Sequence, residues 1–236
     1  MLVSFNGRAP DMERAVALAR RHGLFLVEDA AQALGSRWRG RHLGTFGDIG
    51  SFSLSSPKVI TTGQGGALVT DDDALIARVL KVKDFGRVKA GVDEHDALGY
   101  NFKFTDLQAV IGLAQMAKLD WRVQRKKEIF ALYRTELADV RDVAFVETNL
   151  DETSPWFIDV LVPDPRALRQ RLHERGIGSR PFYLPVHTQA PYHLPGSFPE
   201  TERASRHGLW LPSSSSLEDG TVKRICGEIR AFYRTP

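Results

Sequence analysis

Apolar residues near the start of the chain first follow a helical spacing and then run together in a short block. Met12, Ala15 and Ala19 lie three to four positions apart, and the pattern ends at Gly23, as expected of an amphipathic helix with a glycine stop. The next residues, LFLVEDAA, form an apolar run suited to a buried parallel strand. This succession predicts an α/β unit.

The alternation continues through the first half of the chain. Short strands are predicted at IGSFSL and GGALVT, and DDDALIARVLKVKDFG combines an acidic first turn with apolar residues at helical intervals. Residues 87–99 are predicted to form an exposed polar loop. We therefore predict that residues 1–120 form an α/β domain with a mainly parallel sheet.

A long helix with a bend is predicted over residues 105–138, where Thr105 and Gln108 have capping-box spacing. The pattern then changes to a strand at SPWFIDVLV, a helix at PRALRQRLHERGIG, a Pro-rich irregular segment and a terminal amphipathic helix at LEDGTVKRICGEIRAFY. Residues 121–236 are therefore predicted to be a smaller α+β domain, joined to the first by the long helix.

Composition narrows the choice of function. The 236 residues contain no run of 18 apolar positions and no basic segment leading into an apolar core, which predicts a cytoplasmic protein without a membrane span or secretory signal. The formal charge of +3 is spread among interleaved acids and bases, so we expect no nucleic-acid partner. A single cysteine, Cys226, excludes an internal disulfide and a CxxC metal site, and no metal is predicted.

Two charged residues stand in apolar surroundings. Asp29 ends the predicted strand LFLVEDAA, where open α/β sheets place ligand-binding groups, although taken alone it is more simply explained as a helix N-cap. Lys58 follows an apolar strand and precedes VITTGQGG. A lysine held in such a crevice loses hydration, its pKa falls, and the neutral amine can attack a carbonyl. Lys58 is therefore a Schiff-base candidate, with a solvated surface lysine as the alternative.

The glycines after this lysine do not fit a nucleotide-binding loop. GQGG lacks the Gly-Lys-Ser/Thr of a Walker loop, and a strand rather than a helix follows it. Gly63, Gly65 and Gly66 are predicted to allow tight backbone turns beside a bound flat molecule.

The motifs around these residues resemble a known family. EDAAQALGSRWRGRHLGTFGDIGSFSLSSPKVITTGQGGALVTDDD is similar to the core of the DegT/DnrJ/EryC1/StrS sugar aminotransferases, which are pyridoxal-phosphate enzymes of fold type I. The resemblance continues through LGYNFKFTDLQAVIGLAQMAKLDWR, GIGSRPFYLPVHTQAPY and LWLPSSSSLEDGTVKRICGEIRAFY, and is strongest to perosamine synthase-like members at KDFGR and YNFKFTDLQ. The resemblance implies that the chain contains part of the large domain of that fold, followed by the small domain.

The resemblance also implies roles for residues. Lys58 would bind pyridoxal 5'-phosphate covalently and move a proton, and Asp29 would pair with the pyridinium nitrogen. Gln32 would reach the phenolic oxygen of the ring, and Ser53 would bind the phosphate. Asn101 would reach the phosphate of a neighbouring subunit's cofactor, which implies a homodimer with shared active sites.

The substrate class follows from the same resemblance. His187 in LPVH would line the substrate entrance, and the alternative of an ordinary loop histidine stays open. The implied reaction moves an amino group from glutamate to a 4-keto-6-deoxy nucleotide sugar in cell-surface polysaccharide or secondary-metabolite sugar biosynthesis. Related sugar dehydratases carry histidine in place of the lysine, whereas Lys58 is present. A non-catalytic or partner-requiring fragment is the other alternative.

Two departures from the family pattern bear on these expectations. TTGQGG replaces the usual TTGEGG, which removes a charge but keeps the glycines. Members of the family also carry an N-terminal portion, with a phosphate-binding loop and a ring that stacks on the pyridine, ahead of the point that matches MLVSFNGRAP. Without these groups we expect weak cofactor binding and an exposed apolar sheet edge.

Overall fold

The computed structural model describes residues 1–192 and 194–234. The chain divides into two compact units, the first comprising residues 1–123 and 150–154 and the second residues 124–149 and 155–236. Among the described helices, none is long and apolar enough to cross a membrane.

The first unit is built on a four-stranded sheet. Its strands and helices, in chain order, are β1 (Leu2–Val3), α1 (Met12–Arg21), β2 (Val27–Asp29), β3 (Arg37–Trp38), β4 (Arg41–His42), β5 (Ile49–Ser53), β6 (Gly66–Val69), α2 (Asp73–Lys83) and α3 (Asp106–Met116). The sheet order is β1-β2-β5-β6, with β1, β2 and β5 parallel and β6 antiparallel to β5. The predicted mainly parallel α/β arrangement is confirmed.

The core of this unit lies beneath α1. The Asp11 side chain accepts a hydrogen bond from the Arg14 N–H and caps the helix, which turns Met12 inward. Met12 is fully buried together with Ala33 and Leu43. The predicted first helix and the strand after it are therefore confirmed, although the strand is only three residues long.

Strands β3 and β4 form a separate hairpin. Its two-residue turn, Arg39-Gly40, has φ values of 48° and 82°, the left-handed region that a type I′ turn requires at both positions. The Arg39 guanidinium lies 5.6 Å from the Trp38 ring centroid and forms an ion pair with Glu13 of α1. The sequence analysis did not predict this hairpin.

The long helix predicted over 105–138 is interrupted. Helix α3 ends at Met116 and α4 (Leu119–Glu136) begins three residues later, so the bend is a break between two helices. The predicted capping box is confirmed, because Thr105 and Gln108 satisfy each other's backbone N–H groups at the start of α3. The division between the two units falls within α4.

The second unit contains an antiparallel sheet. Its remaining elements are β7 (Ala144–Phe145), β8 (Ile158–Leu161), α5 (Pro165–Glu174), β9 (Arg180–Pro181), α6 (Pro199–His207), β10 (Gly208–Leu211) and α7 (Asp219–Arg234). The sheet order is β7-β8-β10-β9, and the α+β composition agrees with the expectation for this half. Helix α6 and strand β10 lie where no element was predicted.

A buried lysine connects α4 to this sheet. Lys126 is 7% exposed, and its Nζ donates hydrogen bonds to the carbonyl oxygens of Trp156 at 2.7 Å and Ser213 at 2.8 Å. Burial lowers its pKa from the ordinary 10.5 to about 8. Tyr133, about two turns further along the same face of α4, is also buried and donates to the Pro212 carbonyl at 3.1 Å.

Candidate active site

The adjacent strands β2 and β5 carry polar side chains on one face of the sheet. Asp29 lies directly opposite Ser51 in the parallel register. Because side chains alternate along a strand, Asp29, Ser51 and Ser53 share one face, while Glu28 and Gly50 share the other. The face of Asp29 therefore offers a carboxylate and two hydroxyls at the carboxyl ends of neighbouring parallel strands, where ligands bind in α/β sheets.

Asp29 is not a helix N-cap. A turn rather than a helix follows β2, and the Asp29 Oδ1 accepts a hydrogen bond from the Ala31 N–H at 3.0 Å. Within the described residues, Oδ2 makes no hydrogen bond. The simpler explanation that the sequence offered for this carboxylate is thus wrong, and one oxygen remains available to a ligand.

The loop that carries Lys58 is closed at its base by backbone hydrogen bonds. The Leu54 N–H donates to the Gly65 carbonyl at 2.9 Å, and the Thr62 N–H donates to the Leu54 carbonyl at 2.9 Å. Gly65 has a φ of 143°, and a Cβ there would lie 2.4 Å from the Phe104 ring. The glycine is therefore required both by its conformation and by its neighbour.

Residues on the C-terminal side of Lys58 anchor the loop to the first unit. Val59 and Ile60 are buried, and the Arg122 guanidinium donates to the Val59 carbonyl at 3.0 Å. The Lys58 N–H donates to the Ser55 carbonyl at 3.1 Å in a turn. These contacts hold the lysine main chain on both sides and leave its side chain half-buried.

Lys58 and Asp29 interact electrostatically. Burial lowers the pKa of the Lys58 amine below its usual range, and the negative charge of Asp29 opposes part of this effect. The structure therefore places Lys58 and Asp29 within electrostatic range of each other. A partly desolvated amine beside a carboxylate is typical of functional sites.

Ser53 has a second hydroxyl beside it. The Ser53 and Ser55 Oγ atoms are 3.0 Å apart, and the Ser55 N–H donates to the Ser53 Oγ at 3.3 Å. The sequence analysis selected Ser53 and missed Ser55. The signal was the SLSS turn itself, in which serines two residues apart can bond to each other's side chains.

Gln32 is oriented by the backbone of a neighbouring turn. Its Oε1 accepts a hydrogen bond from the Asn6 N–H at 2.7 Å. Its Nε2 makes no hydrogen bond to the residues that the structure describes. The side chain is thus fixed through its acceptor and retains its donors, which is the polarity needed to bind a phenolic oxygen.

The other two candidates lie elsewhere. Asn101 is exposed and forms an isolated β-bridge with Asp84 in the first unit. His187 belongs to the second unit, where it lies in a 3₁₀ turn, Val186–Thr188. Its Nε2 is 3.3 Å from the Glu202 Oε1, and its ring is 4.7 Å from the Phe198 ring.

The sequence analysis also missed Glu28, the residue before Asp29. Its carboxylate is 1% exposed and accepts hydrogen bonds from the backbone N–H groups of Gly44 at 2.8 Å, Phe46, and Gly47 at 2.6 Å. No local pattern relates Glu28 to a loop some 16 residues away, so this contact depends on tertiary structure.

The donor set fits pyridoxal 5'-phosphate. The cofactor presents an aldehyde, a basic ring nitrogen, a phenolic oxygen and a phosphate. The described residues supply an amine at Lys58, a carboxylate with an available oxygen at Asp29, amide donors at Gln32 and paired hydroxyls at Ser53 and Ser55. Each group of the cofactor has a chemically suitable counterpart.

Comparisons with known proteins agree with this chemistry. The model of the DegT/DnrJ/EryC1/StrS aminotransferase family matches residues 1–230. GDP-perosamine synthase of Escherichia coli O157:H7 is 37% identical over an alignment of 237 positions that covers 99% of this chain and 65% of the synthase. The GDP-perosamine synthase of Vibrio cholerae is 36% identical over an alignment of 241 positions that covers 99% of this chain and 66% of that protein.

A solved structure matches the whole fold of the chain. DesV of S. venezuelae superposes with a TM-score of 0.92 at 32% identity, covering 99% of this chain and 64% of DesV. The chain thus spans about two thirds of the length of the relatives that it matches.

Proposed function

We propose, from the premise that the chain belongs to the DegT/DnrJ/EryC1/StrS aminotransferase family, that it forms the catalytic part of a pyridoxal-phosphate-dependent sugar aminotransferase. The reaction proposed is transfer of an amino group from glutamate to a 4-keto-6-deoxy nucleotide sugar. The similarity to two GDP-perosamine synthases supports this substrate class. The observation that carries the proposal is the Lys58 amine beside the Asp29 carboxylate.

Asp29 and Lys58 have complementary roles in this proposal. Pyridoxal 5'-phosphate, when bound, supplies an electron sink for the carbon that bears the amino group. The negative charge of Asp29 favours a protonated ring nitrogen, which is the form that withdraws electrons best. Lys58 binds the cofactor through Nζ when substrate is absent.

The lowered pKa of Lys58 suits proton transfer. Burial increases the fraction of neutral amine near neutral pH, and a general base is most effective when its pKa is close to the working pH. The neutral Nζ accepts a proton from the substrate carbon, and the ammonium returns it. The loop contacts at Leu54 and Val59 hold the main chain on both sides of Lys58 and so limit the region that its amine can reach.

The remaining residues bind and orient. Ser53 and Ser55 would donate hydrogen bonds from their hydroxyls to the phosphate, and Gln32 would donate from its amide to the phenolic oxygen. We assign Asn101 to the phosphate of the cofactor in a second subunit of a homodimer, since its side chain is exposed next to the stacked rings of Tyr100 and Phe102. His187 would contact the substrate.

Covalent capture tests the proposal directly. The protein is incubated with pyridoxal 5'-phosphate, reduced with borohydride and digested, and the labelled peptide is identified by mass spectrometry. We expect the label on Lys58, its loss in Lys58→Ala, and its retention in a control, Lys118→Ala, which removes an exposed lysine between α3 and α4. A label that survives Lys58→Ala on another lysine would show that the site is wrong.

Glutamate then tests the reaction. Added glutamate should convert the bound cofactor to its amino form, with a shift of its absorbance and the release of 2-oxoglutarate, and Lys58→Ala should abolish the release. Failure of glutamate, together with success of another amino acid, would replace the donor and keep the site.

A further inference from the structure

The carboxylate of Glu28 is held by main-chain donors alone. Three N–H groups of the segment Leu43–Gly47, called here the backing loop, point at it. Across the described part of the chain no lysine, arginine or histidine forms an ion pair with Glu28. Hydrogen bonds from backbone N–H groups to an ionised carboxylate are roughly twice as strong as neutral ones, so Glu28 clamps the backing loop to β2.

The backing loop packs against β5 and the end of β2 on the face of the sheet opposite to Asp29 and Ser53. A Cβ on Gly44 would lie 2.6 Å from the Phe52 ring and 3.0 Å from the Ala30 Cβ, and a Cβ on Gly50 would lie 1.8 Å from the Gly44 carbonyl oxygen. The main chain at Gly44 therefore packs directly against the main chain of β5 at Gly50 and against the side chains of Phe52 and Ala30.

These contacts flank the groups assigned to the cofactor. Ala30 follows Asp29, and Phe52 precedes Ser53. Because alternate residues face opposite sides of a sheet, the backing loop supports the face that is opposite to the cofactor. A change in its position would alter the spacing between the Asp29 carboxylate and the Ser53 hydroxyl, and misplacement of about 1 Å is enough to cost about 10²-fold in a positioned site.

We infer that Glu28 is a positioning residue for the cofactor site, acting through the backing loop on Asp29 and Ser53. This inference rests on the proposed function, and it assigns Glu28 no contact with cofactor or substrate. Glu28→Gln tests this inference. The variant keeps the shape of the side chain but replaces one of its two acceptor oxygens by an amide NH₂. At least one of the three backbone N–H groups then lacks an acceptor.

Asp48, an exposed residue that directly follows the backing loop, offers a control carboxylate. The Asp48 carboxylate accepts a hydrogen bond from the Leu26 N–H at 2.6 Å, so it also clamps a backbone N–H with a carboxylate. It does so at the beginning of β2, away from the end that carries Asp29. Asp48→Asn keeps an oxygen that can accept from the Leu26 N–H, so it removes a carboxylate charge next to the backing loop without disturbing the contacts of Gly44.

The affinity of each variant for pyridoxal 5'-phosphate is measured by absorbance titration, and the rate of labelling at Lys58 is measured by borohydride trapping. Urea unfolding gives the stability of each variant. We expect Glu28→Gln to raise the cofactor Kd at least about tenfold and Asp48→Asn to change it less than about twofold. Glu28→Asp, which keeps the charge with a shorter reach, should restore part of the affinity, and it takes the place of Glu28→Gln if that variant does not fold.

The outcomes separate the two proposals. A cofactor Kd that Glu28→Gln raises no more than Asp48→Asn does would overturn the inference and leave the proposed function standing. A parent protein that neither binds the cofactor nor labels at Lys58 would overturn the proposed function, and the inference with it.

Discussion

The buried amine of Lys126 makes the stability of the protein depend on pH in a way that can be calculated. Its pKa falls from 10.5 in the unfolded chain to about 8 in the folded protein, and each unit corresponds to about 1.36 kcal/mol. Below pH 8 the amine is charged in both states, and burial of the charge costs about 3 kcal/mol. Between pH 8 and 10.5 only the unfolded chain keeps the proton, so this cost disappears as the pH rises.

The perturbation is Lys126→Met, which has a similar volume and no titrating group. Urea unfolding of parent and variant, followed by tryptophan fluorescence at pH 7.5 and 9.5, gives two differences in the free energy of unfolding. We expect the parent to gain about 2 kcal/mol relative to the variant between these pH values. Buried groups such as Cys226 and Tyr133 destabilise the fold at higher pH because burial raises their pKa. They are present in both proteins, so their contributions to the difference cancel.

The control is Lys223→Met, which removes an exposed lysine of α7 in the same unit. The difference in the free energy of unfolding between Lys223→Met and the parent should be the same at both pH values. If the difference between Lys126→Met and the parent also stays constant within about 0.5 kcal/mol, the amine is not desolvated in the folded protein and the reasoning from its burial fails.

Three further predictions concern single groups. Asp29→Asn should still label at Lys58 but lose about 10²-fold or more of its aminotransfer rate in a steady-state assay, because a positioned charge is removed; full activity would contradict its assignment. Gly50→Ala should lose about 3 kcal/mol in urea unfolding, since its Cβ would lie 1.8 Å from a backbone oxygen, whereas Gly227→Ala, with open space around it on α7, should be neutral or stabilising. Cys226, fully buried with its pKa raised to about 12, should resist thiol reagents at pH 8 until urea unfolds the chain, and native labelling would contradict its burial.

The parts of the site that the sequence predicted are those with a local signal. Asp29 ends an apolar run and Lys58 lies between an apolar strand and a Gly-rich loop, so position relative to a strand end made both of them candidates, and the family resemblance gave them their roles. The resemblance assigned both residues to one cofactor, and their mutual interaction is given by the structure.

The parts that were missed depend on contacts between distant segments. The clamp of Glu28 on the backing loop needs the register of β2 against β5, which no local pattern fixes. Strand β10 has four buried residues, Gly208–Leu211, and therefore no polar alternation to mark it. The turn at Arg39-Gly40 lacks the Asn-Gly or Asp-Gly pair that signals a two-residue hairpin.

Helix α6 was overlooked for a different reason. Pro199 at its start and the acidic Glu200 and Glu202 in its first turn are recognised helix-initiation signals. The Pro-rich segment that was predicted to be irregular includes Pro199 and Glu200. The start of the helix was therefore assigned to that segment.

The contacts of α4 with the serine-rich segment 212–217 bear on which substitutions the protein can tolerate. Arg125, Lys126 and Tyr133 bind the main-chain oxygens of Leu217, Ser213 and Pro212. Main-chain oxygens are the same in every residue type, so the segment can change its side chains and keep these contacts. Selection should therefore act on the three donors of α4 more strongly than on the side chains of the serine run, of which Ser213 bonds to the Trp156 carbonyl and Ser214 to Ser216.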